Sequence, residues 1–145
     1  MDDSIDIVDW VHFEKSRAEL GTGFIRILGY FREDGAKSVS QIEAAMREQN
    51  TVALVIPAHT LKGEASQFGA KPLAAKAEFI EQVARSCIET HRFPDELVAD
   101  VVELRRLWNE TIELFDRETN PRLVRAAPNQ GGFGKKVANQ GFGRI

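Results

Sequence analysis

Cys87 is the only cysteine in the 145 residues, so no disulfide can form within this chain. Long apolar runs are missing as well: stretches such as Val52 to Ile56 fall far short of the ~20 residues needed to cross a bilayer. No basic segment followed by an apolar run opens the sequence, and a cytoplasmic protein is therefore expected. Histidine is scarce. His12, His59 and His91 are not spaced as metal ligands, and Cys87 falls on an apolar stripe, so neither metal nor haem is expected in the chain. There is no Gly-rich phosphate loop with its lysine, which argues against any use of ATP by this chain itself.

Positive charge is short in the body of the chain. Five basic residues against Glu118 give residues 118–145 a net +4, which leaves −7 on residues 1–117 out of the total of −3. An acidic body lacks the basic footprint that phosphate backbones require, so nucleic acid is not expected as a partner. The remaining composition, 43% apolar and 28% charged, is that of a globular domain with one core.

Apolar spacing divides the chain into helices. Asp9 suits the N-cap of a short helix through Trp10, Val11, Phe13 and Leu20, which Gly21-Thr22-Gly23 ends. From Phe24 a long helix runs to about Gln49, with Gly35 and Ala36 as a weak point where it could bend. Thr51 to Ile56 is ambiguous because of Pro57. Either Pro57 lies in the first turn of a helix that begins near Ile56, or a helix from about Thr51 kinks there. Gly69 stops that helix and Pro72 opens another, with Leu73, Ala77, Ile80, Ala84 and Cys87 on its buried stripe. Pro94-Asp95-Glu96 then starts a helix carrying Leu97, Val101, Leu104, Trp108 and Phe115. Five helices with short connections put neighbours antiparallel. The expected fold is all-α, an up-and-down antiparallel four-helix bundle with an additional short N-terminal helix over residues 1–118. Residues 119–145 form a Gly-rich basic tail, where Asn-Gln-Gly-Phe-Gly-basic occurs twice in degenerate form, and a flexible segment is expected.

The chemistry concentrates between Ala58 and Ala70. On a helix, Ala58, Leu61, Ala65 and Phe68 share the apolar stripe, whereas His59, Gly63 and Ser66 fall opposite, with Lys62 at their flank. His59 is thereby turned to solvent. Gly63, one turn on, costs a mid-helix position roughly 1 kcal/mol relative to alanine, so something other than helix stability favours bare backbone there.

His59-Thr60-Leu61-Lys62-Gly63, closed by Gly69-Ala70, resembles the motif of the histidine-containing phosphotransfer (HPt) domain of bacterial multistep two-component phosphorelays. The resemblance covers roughly residues 5–117 in helix order, with identity concentrated in the motif. It implies a phosphocarrier, more than an enzyme in its own right, that relays a phosphoryl group between receiver-domain aspartates. His59 would be the phosphoacceptor, Lys62 the charge beside the incoming phosphoryl oxygens, and Gly63 the clearance for a partner. On the following helix the family often has a carboxylate or amide for the other ring nitrogen; Glu81 or its neighbour Gln82 would serve, and Gln67 is a weaker candidate. The implied partners are response-regulator receiver domains and a hybrid histidine kinase. Mg²⁺ is expected on the receiver and no cofactor on this chain, which is expected to be a monomer. The alternative is a helical module that docks a receiver or kinase as inhibitor or scaffold without carrying phosphate.

Overall fold

Asp9 caps the first helix as its position requires, Oδ1 accepting from the His12 amide at 3.2 Å. In a computed structural model, which describes residues 7–120, five α-helices follow in order. They are α1 (Trp10–Leu20), α2 (Phe24–Arg47), α3 (Val52–Gln67), α4 (Lys71–Glu89) and α5 (Val98–Thr119), with single 3₁₀ turns at Gly21–Gly23 and Asp95–Leu97. Among the described residues there is no strand. The fold is an all-α, up-and-down four-helix bundle of α2 to α5 with the short α1 added. The chain divides into two compact units, Met1–Thr111 and Ile112–Ile145. In the second, the end of α5 is held by Arg117 donating to Glu113 and by the Thr119 hydroxyl donating to the Phe115 carbonyl. The expected Gly-rich tail lies outside the described residues.

Two expectations about the helices are settled by packing. The helix α3 begins at Val52 and continues through Pro57, so the reading in which a helix starts near Thr51 is the one adopted. Asn50 caps it, its side-chain oxygen accepting from the Ala53 amide at 3.1 Å. Gly35 is no weak point. Its α2 runs unbroken for 24 residues, and the buried set Phe24, Leu28, Phe31, Gly35, Ser38, Val39, Ile42 and Ala45 keeps one continuous stripe. A Cβ at Gly35 would collide with the indole of Trp108, so the missing side chain makes room for that ring.

The ends of α2, α3 and α4 share one device. After each, a residue with positive φ (Gln49 at 55°, Gly69 at 80°, His91 at 55°) turns the chain. The next amide bonds back to the helix: Asn50 to Ala45, Ala70 to Ala65, and Arg92 to Cys87, at 2.9–3.0 Å. This is the Schellman arrangement, which satisfies the last carbonyls of a helix. His91, for which no chemical role was expected, serves here as a turn residue.

Aromatic rings tie the helices around the end of α3. Trp10, Phe13, Phe24, Phe68, Phe31 and Trp108 form a chain of neighbouring rings with centroids 5.1–5.9 Å apart. Each such pair adds about 0.5–1.5 kcal/mol beyond its burial. Backbone bonds tighten the same end: the Asp9 amide donates to the Gly69 carbonyl at 2.9 Å and Ser16 Oγ to the Gln67 carbonyl at 2.5 Å. At Gly69, glycine is required on two counts. Its φ is left-handed, and a Cβ would come within 2.7 Å of the Asp9 carbonyl oxygen.

Candidate functional site

Ala58, Leu61, Ala65 and Phe68 are all fully buried, which fixes the rotation of α3 and sends the opposite face outward. His59 stands on that face with 58% of its side chain exposed. A Cβ on Gly63 would meet nothing within 4 Å, so no packing in this chain demands a glycine there. An open cleft beside Gly63 is lined by His12, Lys62, Ser66, Lys71 and Glu78. It brings His12 of α1 to the flank of the site.

Glu81 projects from α4 to meet His59, its Oε2 lying 3.0 Å from the ring Nδ1. Among the three candidates named from the sequence, the contact belongs to Glu81. Gln82 is exposed and donates to Glu78, one turn back on its own helix. Gln67 sits at the end of α3, where its carbonyl accepts from Ser16, well along the helix from His59. Lys62 also turns toward Glu81, with Nζ 3.2 Å from Oε1. The lysine is thus held by the carboxylate that holds the histidine.

A third partner of Glu81, Arg85, completes the cluster and was not singled out in the sequence. Its Nε and Nη2 both lie 3.0 Å from Glu81 Oε2. The available signal was the spacing of Glu81 and Arg85, one helical turn apart in the favourable order for an i,i+4 pair. Glu81 itself is only 7% exposed at the side chain. Burial alone would push its carboxyl up, but bonds from Arg85, Lys62 and His59 outweigh burial and hold it below the usual carboxylate range.

The ionisation state of Glu81 decides the tautomer of His59. An ionised carboxylate can only accept hydrogen bonds, so in the neutral ring the proton must sit on Nδ1. The lone pair of Nε2 is then free on a nucleophilic imidazole that is more than half exposed. Among the described residues, no three His, Cys, Asp or Glu side chains converge as a metal site. No helix among them is long and apolar enough to cross a membrane.

Residues 26–114 match the family model of the Hpt domain. The chain belongs to the Hpt domain family. It is a histidine phosphotransfer protein of phosphorelays, a class that interacts with receiver domains. Among solved structures, the crystal structure of histidine-containing phosphotransfer protein B (HptB) from Pseudomonas aeruginosa PAO1 is similar over 77% of this chain and 93% of that one. Its TM-score is 0.67 at 23% identity, a likeness of fold. A search of curated protein sequences found no significant match. The Hpt match begins within α2 and so leaves α1 outside it.

Proposed function

We propose that His59 is the residue that carries the phosphoryl group, exchanging it with aspartates of receiver domains. The observation that carries this reading is the exposed imidazole of an Hpt chain whose Nδ1 is bonded to a buried carboxylate, which leaves Nε2 as the ring nitrogen able to attack. The lone pair of Nε2 forms a bond to phosphorus as the P–O bond of the receiver's aspartyl phosphate breaks. The electron pair leaves on the aspartate carboxylate, and the Nδ1 proton stays in its bond to Glu81. The reverse sequence passes the group on.

Lys62 and Arg85 place positive charge close to the dianionic group, and Gly63 keeps the approach clear. The same reading assigns the Mg²⁺ to the acidic pocket of the receiver, with no cofactor on this chain. It includes a cytoplasmic monomer fed by a hybrid histidine kinase or by a receiver.

The test is to mix the purified protein with a panel of phosphorylated receivers. The expected result is acid-labile, base-stable label on the wild type and none on His59→Ala, with helical content unchanged. Undiminished label on the mutant would overturn the acceptor assignment. Tight receiver binding without any label on the wild type would favour the scaffold reading.

A further inference from the structure

Arg85 lies outside the His-x-Leu-Lys-Gly motif, yet it shares a single oxygen with the proposed acceptor. Glu81 Oε2 accepts hydrogen bonds from the Nδ1–H of His59 and the Nε–H of Arg85, both at 3.0 Å. Lys62 faces the other oxygen at 3.2 Å. A buried carboxylate with one imidazole contact could either swing away or take up a proton, and each escape has the same effect on the ring. A protonated Glu81 could donate to Nδ1, which would move the ring proton to Nε2 and remove the attacking lone pair.

We propose that Arg85 is a positioning residue for phosphoryl transfer: it clamps the Glu81 oxygen that accepts the Nδ1–H of His59 as a hydrogen bond, and so fixes the tautomer whose Nε2 attacks. This deepens the reading of His59 as acceptor and rests on it. In the step served, the N–P bond forms while the P–O bond to the receiver's aspartate breaks. The electron pair leaves on that aspartate, and the proton on Nδ1 does not move.

The other charged groups near the ring do not duplicate this role. Lys62, on the same helix as His59, contacts Oε1 and leaves Oε2 to the arginine. On α4, Glu78 is engaged by Gln82. His12 and Lys71 line the adjoining cleft, with Lys71 paired to Asp9 at 2.8 Å. The charge that α2 directs at α3 comes from Asp34 and acts on Glu64.

Arg85 is 56% exposed, so its replacement should leave the fold intact, which thermal melting would check. The probe is the ¹⁵N-labelled full chain with a phosphorylated receiver that labels it. Long-range ¹H–¹⁵N spectra should show the His59 proton on Nδ1 in the wild type and a mixture of tautomers in Arg85→Ala. Transfer at saturating receiver should fall about three- to fivefold, the scale of a partly exposed ion pair, with the half-saturating receiver concentration unchanged. Arg85→Lys should recover both readouts in part. An unmoved tautomer in Arg85→Ala would overturn the proposal. So would a loss confined to the half-saturating concentration, which would make Arg85 a docking contact. If His59→Ala were still labelled, the acceptor assignment would fall, while the tautomer spectra would still decide the clamp.

Discussion

Two glycines on neighbouring helices carry opposite meanings, and a single added methyl group separates them. At Gly63 a Cβ would enter open space, so Gly63→Ala should stabilise the bundle by about 0.4–1 kcal/mol. Transfer should nonetheless fall in the order Gly, Ala, Gln, because each side chain stands one turn from His59 where a receiver must approach. Loss of stability with unchanged transfer per folded molecule would show that Gly63 serves the helix. At Gly35, the same substitution drives a methyl group into Trp108 and should cost about 1–3 kcal/mol, seen as a lower melting temperature with transfer intact. The sequence set Gly63 on the exposed face beside His59, but read Gly35 only as a weak point of its helix. Gly35 lies opposite an aromatic residue 73 positions away, and such a meeting is written in tertiary packing alone.

Helix ends set a second group of expectations. His91 and Gln49 occupy left-handed positions that favour glycine, at a cost of about 1–2 kcal/mol each for a residue with a side chain. Part of this is offset by the extra freedom glycine gives the unfolded chain, so His91→Gly should stabilise by about 0.5–1 kcal/mol. Denaturant melts would measure it, and labelling of His59 should not change. Between α2 and α3, Glu64 buries an oxygen that no donor reaches. Burial, then the charge of Asp34, pushes its carboxyl above the usual carboxylate range. The folded state therefore holds this proton more tightly than the unfolded one, and stability falls as pH rises from the ordinary carboxylate value through the raised one. Glu64→Gln should raise the melting temperature at pH 7 and have little effect at pH 4. Equal shifts at both pH values would refute that account. Helix existence and order were legible because the stripes are regular, and Asp9, Pro72 and Pro94 punctuate them clearly. The choice at Pro57 was not, since local rules weigh a lost hydrogen bond without knowing that neighbouring helices bury the proline ring.

At the scale of the whole molecule, the outward face of α3 is where a partner would meet this acidic body. Val52 and Ile56 are 65% and 69% exposed, and they continue the line of His59 toward the helix start. Ile56→Glu should leave the melting temperature unchanged and raise the half-saturating receiver concentration about tenfold, the scale of one well-placed interface residue. An unchanged value would put the contact surface elsewhere. The site was legible in unequal parts. His59, Lys62 and Gly63 were readable because they lie on one helix, where spacing alone fixes their face. Glu81 could be narrowed only to a pair with Gln82, because the rotation of α4 against α3 depends on the whole core.

The fastening of α1 to the turn after α3 decides where this protein can be cut and joined. Its amide and hydroxyl donors occupy the Gly69 and Gln67 carbonyls, and Phe13 packs against Phe24, so the stretch matched to the family is shorter than the piece that closes its own core. A chimaera built from residues 26–114 would take the Ser16 donor from the Gln67 carbonyl, leave the Gly69 carbonyl with the Lys71 amide alone, and open one end of the ring cluster to water. Splicing before Asp9 keeps that seam closed, and a graft of this carrier onto a foreign receiver should include Trp10–Leu20 as part of its cargo.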